Sequence, residues 1–294
     1  MRRIMVDTPL LSIACEYWGP EDGLPVLLLH GFPYDPRAFD QVAPLLAAQG
    51  MRVLVPYLRG FGATRFHSPA TPRSGEQAAI ADDARALMDA LGVERAILAG
   101  FDWGGRAACV ASVLWPERVA GLVAIGGYLI QDIEAATTPI PPAIEQRAWH
   151  QYYLASERGR RALAERRREL CRHFWQQWSP HWLFSDEDFE RTAASFDNPD
   201  FVEVAAHSYR HRIGAAAGDP HYAPLQQQLG GRPPVSVPAI LLHGADAVLG
   251  GGGSSLFPQL LDERRVAGAG HNPPQESPQA VVQAVLDLAR AHLT

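Results

Sequence analysis

The stretch Gly100-Phe101-Asp102-Trp103-Gly104-Gly105 has the spacing of a nucleophile elbow, the sharp G-x-S-x-G turn that joins a strand to a helix, with aspartate in place of serine. The apolar run from Arg95 to Ala99 predicts the strand, and the run from Gly104 to Leu114 predicts the helix. An aspartate at this position can cap the helix. It can also attack a saturated carbon and become an ester. The surrounding pattern favours Asp102 as a nucleophile.

A second motif, Gly268-Ala269-Gly270-His271-Asn272, indicates a general base. It follows an apolar strand that should end near Val266, and it precedes a predicted helix from about Pro278 to His292. An isolated histidine is more often structural. A histidine that comes last in the order nucleophile, acid, histidine is typical of a catalytic base. We therefore predict that His271 is the base.

The acid that orients this base should lie between the nucleophile and the histidine in the chain. The apolar run from Val237 to Leu242 predicts a strand, and Asp246 stands shortly after it. Asp246 is therefore the first candidate. A carboxylate in the loop after the preceding predicted strand can reach the same imidazole, so two alternatives stay open, Asp132 and Glu134.

Strand-like and helix-like runs alternate from Val26 to Gly126, including a predicted helix near Phe39 to Gln49, and this order predicts a parallel sheet with crossover helices. The pattern then becomes helix-like, charged and aromatic, and proline-rich stretches mark where that segment begins and ends. We predict a core formed by residues 1–130 and 229–294 and a helical cap formed by residues 131–228.

These motifs resemble, from about residue 10 onward, those of α/β hydrolases in the epoxide hydrolase and dehalogenase group. Arg59-Gly60-Phe61-Gly62-Ala63-Thr64 is also similar to the R-G-x-G-x-S stretch of that group. The resemblance implies an α/β fold with a mostly parallel eight-stranded sheet, flanking helices and a cap inserted after the sixth strand. It further implies an oxyanion hole built from the backbone N–H groups of Phe32 and Trp103, although His30-Gly31-Phe32-Pro33 alone could be an ordinary turn.

The resemblance also implies hydrogen-bond donors on the cap, because a carboxylate that opens an epoxide generates an alkoxide. Epoxide hydrolases of this group have an early Tyr or His and a late Tyr in this role. The late match is Tyr209, and the early match is His150, although either could be a packing residue. Tyr152 and Tyr153 are alternatives for the early donor. The aromatic cap suggests a bulky or apolar substrate, with predicted contacts from Trp149, Tyr152 and Tyr153.

The residues that follow the nucleophile help to distinguish between a halide and an epoxide oxygen as the leaving group. Fluoroacetate dehalogenases have two arginines there that clamp the substrate carboxylate, whereas this chain has Trp103 at the first position and Arg106 at the second. Haloalkane dehalogenases have a tryptophan directly after the nucleophile, and its indole N–H faces the halide. Many epoxide hydrolases also have a tryptophan at this position, so Trp103 is compatible with both reactions. A departing halide needs no proton, so Tyr209 favours an epoxide. A dehalogenase and a non-catalytic ligand-binding homologue are the alternatives.

The whole chain, 294 residues with 47% hydrophobic residues and a net charge of −6, is long enough for one such domain with an insertion. We expect neither a nucleic-acid nor a membrane partner, since the chain has no polybasic surface signal and no long apolar segment. A small molecule is the expected partner, and a homodimer is compatible with the sequence. No cofactor or metal is expected. The three cysteines and the lack of a signal-peptide pattern suit a cytoplasmic protein.

Overall fold

The computed structural model describes residues 1–248 and 252–293, so part of the glycine-rich run from Gly250 to Gly253 lies outside the described residues. Nine strands of the described chain form one sheet. Their bounds are β1 (Arg2–Asp7), β2 (Leu11–Trp18), β3 (Pro25–Leu29), β4 (Arg52–Pro56), β5 (Arg65–Phe66), β6 (Ala96–Phe101), β7 (Val119–Ile125), β8 (Ala239–Gly244) and β9 (Leu260–Val266).

The strand order is β1-β2-β4-β3-β6-β7-β8-β9, with the two-residue strand β5 paired to β2. The pairs β1–β2, β2–β4 and β2–β5 are antiparallel, and the other pairs are parallel. The predicted mostly parallel sheet is therefore confirmed, with β5 as an addition to the expected eight strands. The predicted sixth strand is β7 in this numbering.

The central strands are buried on both faces, since every residue of β6 and of β7 is buried. This explains why their sequences are continuous apolar runs rather than alternating ones. Parallel neighbours end at the same edge of the sheet, which brings Leu29, Phe101, Ile125 and Gly244 together at the carboxyl ends of β3, β6, β7 and β8. Ligands of open α/β sheets bind at this edge.

The helices are α1 (Val42–Ala48), α2 (Gln77–Ala90), α3 (Asp102–Leu114), α4 (Pro142–Arg147), α5 (Trp149–Ala155), α6 (Glu157–Trp178), α7 (Asp186–Ala193), α8 (Phe201–Arg212), α9 (Ala223–Gln227), α10 (Pro273–Glu276) and α11 (Pro278–Leu293). The helix predicted near Phe39 to Gln49 is shorter than expected. A separate 3-10 turn at Pro36–Phe39, capped by the Asp35 side chain, precedes α1 and displaces its start.

Helices α4 to α9 all lie between β7 and β8, within the predicted cap, residues 131–228. The status of these residues as a separate domain stays a prediction. The cap contacts the core through defined bonds: Trp175 Nε1 donates to Pro33 O (2.9 Å), and Ser195 Oγ donates to Asp35 Oδ2 (2.6 Å). The polar face of α6 carries exposed ion pairs such as Arg161–Glu165, as expected for a solvated helix.

None of the described helices combines the length and the apolar character needed to cross a membrane.

Candidate active site

Asp102 occupies the sharp turn between β6 and α3, with a left-handed φ of 50°. Non-glycine residues seldom adopt this conformation, and those that do are often strained residues at functional sites. The turn also needs glycine: a Cβ on Gly104 would lie 2.1 Å from Leu29 O. The helix begins at Asp102 itself, with Phe101 at the cap position and no side-chain hydrogen bond at that cap. The helix-cap interpretation of this aspartate is therefore not supported.

The Asp102 carboxylate is held from the neighbouring loop. The backbone N–H of Phe32 donates to Asp102 Oδ1 at 2.8 Å. Gly31 permits this approach, because a Cβ there would lie 2.5 Å from the Asp102 Cβ. Phe32 thus stands where an oxyanion donor is expected, whereas a second donor from the Trp103 backbone stays a prediction. The Trp103 ring stacks on Phe32 with centroids 5.3 Å apart.

His271 faces the other carboxylate oxygen. Its Nε2 lies 3.6 Å from Asp102 Oδ2, just beyond hydrogen-bond range, and this buried nitrogen has no hydrogen bond among the described residues. The imidazole lies 5.1 Å, centroid to centroid, from the Trp178 ring of the cap. A base at this position can reach a water molecule placed against the carboxylate carbon.

Opposing effects act on the pKa of Asp102. Burial alone would raise it. The neighbouring His271, the positive charge of Arg106 and the hydrogen bond from Phe32 outweigh burial and hold the pKa of Asp102 well below its usual range. The carboxylate is therefore ionised at neutral pH, as a nucleophile must be.

Glu276 and Ser179 hold the loop that carries His271. Glu276 accepts hydrogen bonds from the backbone N–H groups of Gly270 (2.6 Å) and Asn272 (2.8 Å), the residues on either side of the histidine. Ser179 Oγ, on the cap, accepts from His271 N (2.9 Å) and donates to Glu276 (2.7 Å). This network connects the cap directly to the candidate base.

The described structure does not join any predicted acid to the imidazole. The backbone N–H of Asp246 donates to Ala269 O at 3.0 Å, which brings its loop next to the histidine loop, but no hydrogen bond or ion pair links its carboxylate to His271 within residues 1–248 and 252–293. Asp132 and Glu134 line a different cavity, beside His211, so the structure places them away from the base. Asp246 as the acid stays a prediction.

The two predicted cap donors are both buried and adjacent. Tyr209 and His150 are 1% and 3% exposed, and their rings lie 6.0 Å apart. Burial, partly offset by Arg212, raises the pKa of Tyr209, so that its phenol stays protonated. Burial, then the charge of Arg212, lowers the pKa of His150 to about 3. His150 can therefore donate a hydrogen bond as a neutral imidazole but cannot supply a proton at neutral pH.

A cavity of about 420 Å³ opens beside these groups. Its walls come from the sheet edge, from α3 and from the cap: Asp102, Arg106, Ile125, Gly126, Leu129, Ile140, Ile144, Arg147, Ala148, His150, Gln151, Arg212, Gly244, Ala247, Val248, Gly270, His271 and Pro273. Tyr209 is not among these lining residues, and its ring packs against the rings of Phe32, Trp103 and His150.

Four predicted substrate contacts, Trp103, Trp149, Tyr152 and Tyr153, are not among the residues that line this cavity. Tyr152 is 47% exposed, and its hydroxyl donates to Glu145 at the surface. Trp149 donates to Gln177 Oε1 at 3.1 Å and packs on Tyr153 with centroids 5.6 Å apart. Helix α5 turns His150 towards the nucleophile, and its neighbours in sequence necessarily face other directions. Arg106, in contrast, lines the cavity, and its contact with the substrate stays a prediction.

Sequence reasoning missed Arg212 as a residue of the cavity and Ser179 and Glu276 as supports of the base. Arg212 could have been found from its spacing, since it lies three residues after Tyr209 on α8 and so shares a helix face with it. Ser179 carried no comparable signal, because the packing of the cap on the core decides its position.

The fold and this geometry can be compared with known proteins. A family model described as the alpha/beta hydrolase fold matches residues 25–278. The chain belongs to the α/β-hydrolase family. A candidate epoxide hydrolase from Klebsiella pneumoniae, of known crystal structure, is 43% identical to this α/β hydrolase, with a TM-score of 0.94 over 98% of this chain and 97% of that one. A second candidate epoxide hydrolase structure, from Pseudomonas aeruginosa, is 22% identical with a TM-score of 0.82, over 99% of this chain and 96% of that one, and supports the fold alone.

Curated relatives match over shorter lengths. Epoxide hydrolase 2 of Siraitia grosvenorii is 35% identical over 109 residues, which are 37% of this chain and 34% of that protein. A fluoroacetate dehalogenase of a Burkholderia species is 33% identical over 153 residues, 52% of this chain and 48% of that protein. The chain therefore spans about a third to a half of the length of these relatives. The predicted resemblance is confirmed: this member of the α/β-hydrolase family is similar to epoxide hydrolases.

Proposed function

We propose that this enzyme hydrolyses an epoxide to a vicinal diol through a covalent ester on Asp102. In the first step Asp102 Oδ2, the oxygen that Phe32 does not hold, forms a bond to a ring carbon. The bond from that carbon to the ring oxygen breaks, and the ring oxygen takes the proton of the Tyr209 hydroxyl. His150 donates a hydrogen bond to the same oxygen. The product is a hydroxyalkyl ester whose carbonyl oxygen is Oδ1.

The second step regenerates the carboxylate. His271 Nε2 takes a proton from a water molecule, whose oxygen bonds to the ester carbonyl carbon. The negative charge develops on Oδ1, where the Phe32 N–H already donates, with the Trp103 N–H as the second predicted donor. The bond between the carbonyl carbon and Oδ2 then breaks. Oδ2 leaves in the diol with the proton from His271. The second proton of the attacking water, left on the Asp102 carboxyl group, passes through solvent to the Tyr209 phenolate, so that both groups return to their starting states.

The observation that carries the proposal is that the two carboxylate oxygens of Asp102 have different neighbours. Phe32 N–H holds Oδ1 at 2.8 Å, while Oδ2 faces His271 at 3.6 Å without a hydrogen bond to it. An aspartyl ester can be hydrolysed by attack at its carbonyl carbon. A serine in the same place would give an ether, which has no carbonyl carbon for water to attack.

Product analysis tests this function. The purified enzyme is incubated with aryl and alkyl epoxides and with 2-haloacids, and diol and free halide are both measured. We expect diol from at least one epoxide and none above background with Asp102→Ala. Diol formation that survives this substitution would contradict the proposal.

A dehalogenase is the second candidate, and a specific observation favours it. The buried indole N–H group of Trp178, whose ring lies 5.1 Å from that of His271, has no hydrogen-bond partner among the described residues, and an indole N–H can donate to a departing halide. The partial match to the Burkholderia fluoroacetate dehalogenase is in line with this chemistry. Release of halide without diol formation from any epoxide would replace the first proposal with this one.

A further inference from the structure

We infer that the cavity binds a substrate that carries a carboxylate next to its epoxide ring, and that Arg106 and Arg212 form the subsite for this carboxylate. The inference rests on the proposed function for the epoxide half of the substrate. The carboxylate half depends on the arrangement of the two guanidinium groups, and it can be tested separately.

Arg106 brings a positive charge into the cavity from the helix of the nucleophile. It lies four residues after Asp102 on α3, one helical turn further along the same face. It is 8% exposed, and its Nε donates to Leu129 O at 3.0 Å. No carboxylate of the described chain forms an ion pair with it, so the rest of its guanidinium has no protein partner of opposite charge in contact.

Arg212 brings a second positive charge into the cavity, from the cap. It lies three residues after Tyr209 on α8, it is 8% exposed, and its guanidinium stands 4.3 Å from the centroid of the Tyr209 ring. Its Nη2 donates weakly to Ser208 Oγ at 3.3 Å, while its buried Nε has no hydrogen bond among the described residues. No carboxylate of the described chain forms an ion pair with Arg212, and Arg212 lines the cavity, so a ligand carboxylate there could pair with its guanidinium.

The two positive charges repel each other inside one cavity. Burial, followed by the charge of Arg212, lowers the pKa of Arg106 to about 9. Asp102 is the one carboxylate among the described residues that line the cavity. Formation of the ester moves the negative charge from Asp102 to the Tyr209 phenolate beside Arg212, and Arg106 then has no counter-charge on its own helix. A carboxylate on the substrate would supply a negative charge to Arg106 in that state.

The shared cavity limits where this carboxylate sits. Arg106 lies about one turn after the nucleophile on α3, Arg212 lies about one turn after Tyr209 on α8, and both arginines line the same cavity as Asp102. A substrate carboxylate close to the epoxide ring lies in the space that both arginines border. Guanidinium groups bind carboxylates through charge-assisted hydrogen bonds, which are the strongest kind a protein uses for this group. A 2,3-epoxycarboxylate is therefore the substrate class that fits both halves of the cavity.

Turnover of matched substrates tests the subsite. We would measure kcat/KM for 3-phenylglycidate and for its uncharged amide with wild-type enzyme, Arg212→Gln and Arg210→Gln. Arg210 lies on the same helix but binds Ala155 O and Glu157 at the cap surface, so it is the matched control. We expect wild type and Arg210→Gln to prefer the acid at least about tenfold, and Arg212→Gln to lose about tenfold or more of this preference. Equal rates for acid and amide with wild type would overturn the subsite.

A binding measurement separates this inference from the proposed function. Calorimetry with the unreactive pair 3-phenylpropanoate and 3-phenylpropanamide needs no turnover. We expect the acid to bind at least about tenfold more tightly to wild type and to lose that advantage in Arg212→Gln and Arg106→Gln. If the acid binds in this way but no epoxide gives diol, the subsite stands and the proposed function fails. If acid and amide bind equally, the subsite is overturned whatever the turnover shows.

Discussion

His271 Nε2 lies 3.6 Å from Asp102 Oδ2, while the other Asp102 oxygen is fixed by the Phe32 N–H. In this arrangement His271 is needed to hydrolyse the ester but not to form it. We therefore expect His271→Gln to stop turnover after the first step, so that the protein gains the mass of one intact epoxide in mass spectrometry. His243→Gln is the matched control, because His243 binds Glu263 near the end of β8, and it should show no adduct. A His271→Gln enzyme without an adduct, on an epoxide that wild type converts, would exclude the ester.

Tyr209 should act in ester formation, since its protonated phenol stands beside His150 and close to the nucleophile. We expect Tyr209→Phe to lower kcat/KM by about 10² to 10⁴, the usual contribution of general acid catalysis. Tyr17→Phe removes a buried hydroxyl on β2 that has no partner among the described residues, and it should leave kcat/KM unchanged. A Tyr209→Phe enzyme as fast as wild type would remove this residue from the mechanism.

The buried, neutral His150 should make the folded state sensitive to acid. Its pKa in the folded protein is lowered to about 3, whereas an unfolded histidine titrates near 6.5. Below about pH 6.5 the unfolded chain binds a proton that the folded chain does not, so this residue costs stability as the pH falls. Between pH 7 and pH 5 the expected cost is about 2 kcal/mol.

Urea unfolding at the two pH values measures this cost. We expect the loss of unfolding free energy between pH 7 and pH 5 to be about 2 kcal/mol smaller for His150→Gln than for wild type. His173→Gln replaces an exposed histidine on α6 and should match wild type. Equal losses in wild type and His150→Gln would show that His150 takes up its proton in the folded protein.

Glu276 is predicted to be a positioning residue for the base. Its carboxylate accepts bonds from the backbone on both sides of His271, and Ser179 connects it to the cap. Glu276→Gln keeps the shape but loses the charge, and hydrogen bonds to a charged group contribute about 1.5–3 kcal/mol. We expect ester hydrolysis to slow by about tenfold or more, while ester formation changes little, so that the adduct accumulates during turnover.

Rapid quenching followed by mass spectrometry would detect that accumulation. Glu263→Gln, which affects only the bond to His243, is the control and should show wild-type levels of adduct. A Glu276→Gln enzyme that slows both steps equally, or neither, would not support a specific role in placing the base.

The sequence predicted those parts of the site that local structure determines. Asp102 lies in a strand-turn-helix motif whose glycines are readable, and His271 follows the last strand of the sheet in a glycine-rich loop. The parallel sheet then brings both to the same edge. Arg106 was predicted because it lies one turn from Asp102 on the same helix.

The rest of the candidate site depends on how the cap packs on the core, and no local sequence pattern encodes this packing. Arg212 reaches the cavity because α8 lies over the nucleophile, and Ser179 reaches the histidine loop from the end of α6. For the same reason the sequence could not indicate that Trp149, Tyr152 and Tyr153 are absent from the cavity lining to which His150 belongs. The acid that would orient the His271 imidazole likewise depends on how the loops are placed, and Asp246 as that acid stays a prediction.

The central claim is that an oxygen of Asp102 becomes an oxygen of the diol. A single turnover in water enriched in ¹⁸O, with enzyme in excess over epoxide, tests this directly. The mechanism predicts that the first diol is unlabelled, because Oδ2 supplies its new oxygen, and that one ¹⁸O enters the peptide containing Asp102. A fully labelled diol from the first turnover, with no label in that peptide, would show direct attack by water and contradict the account.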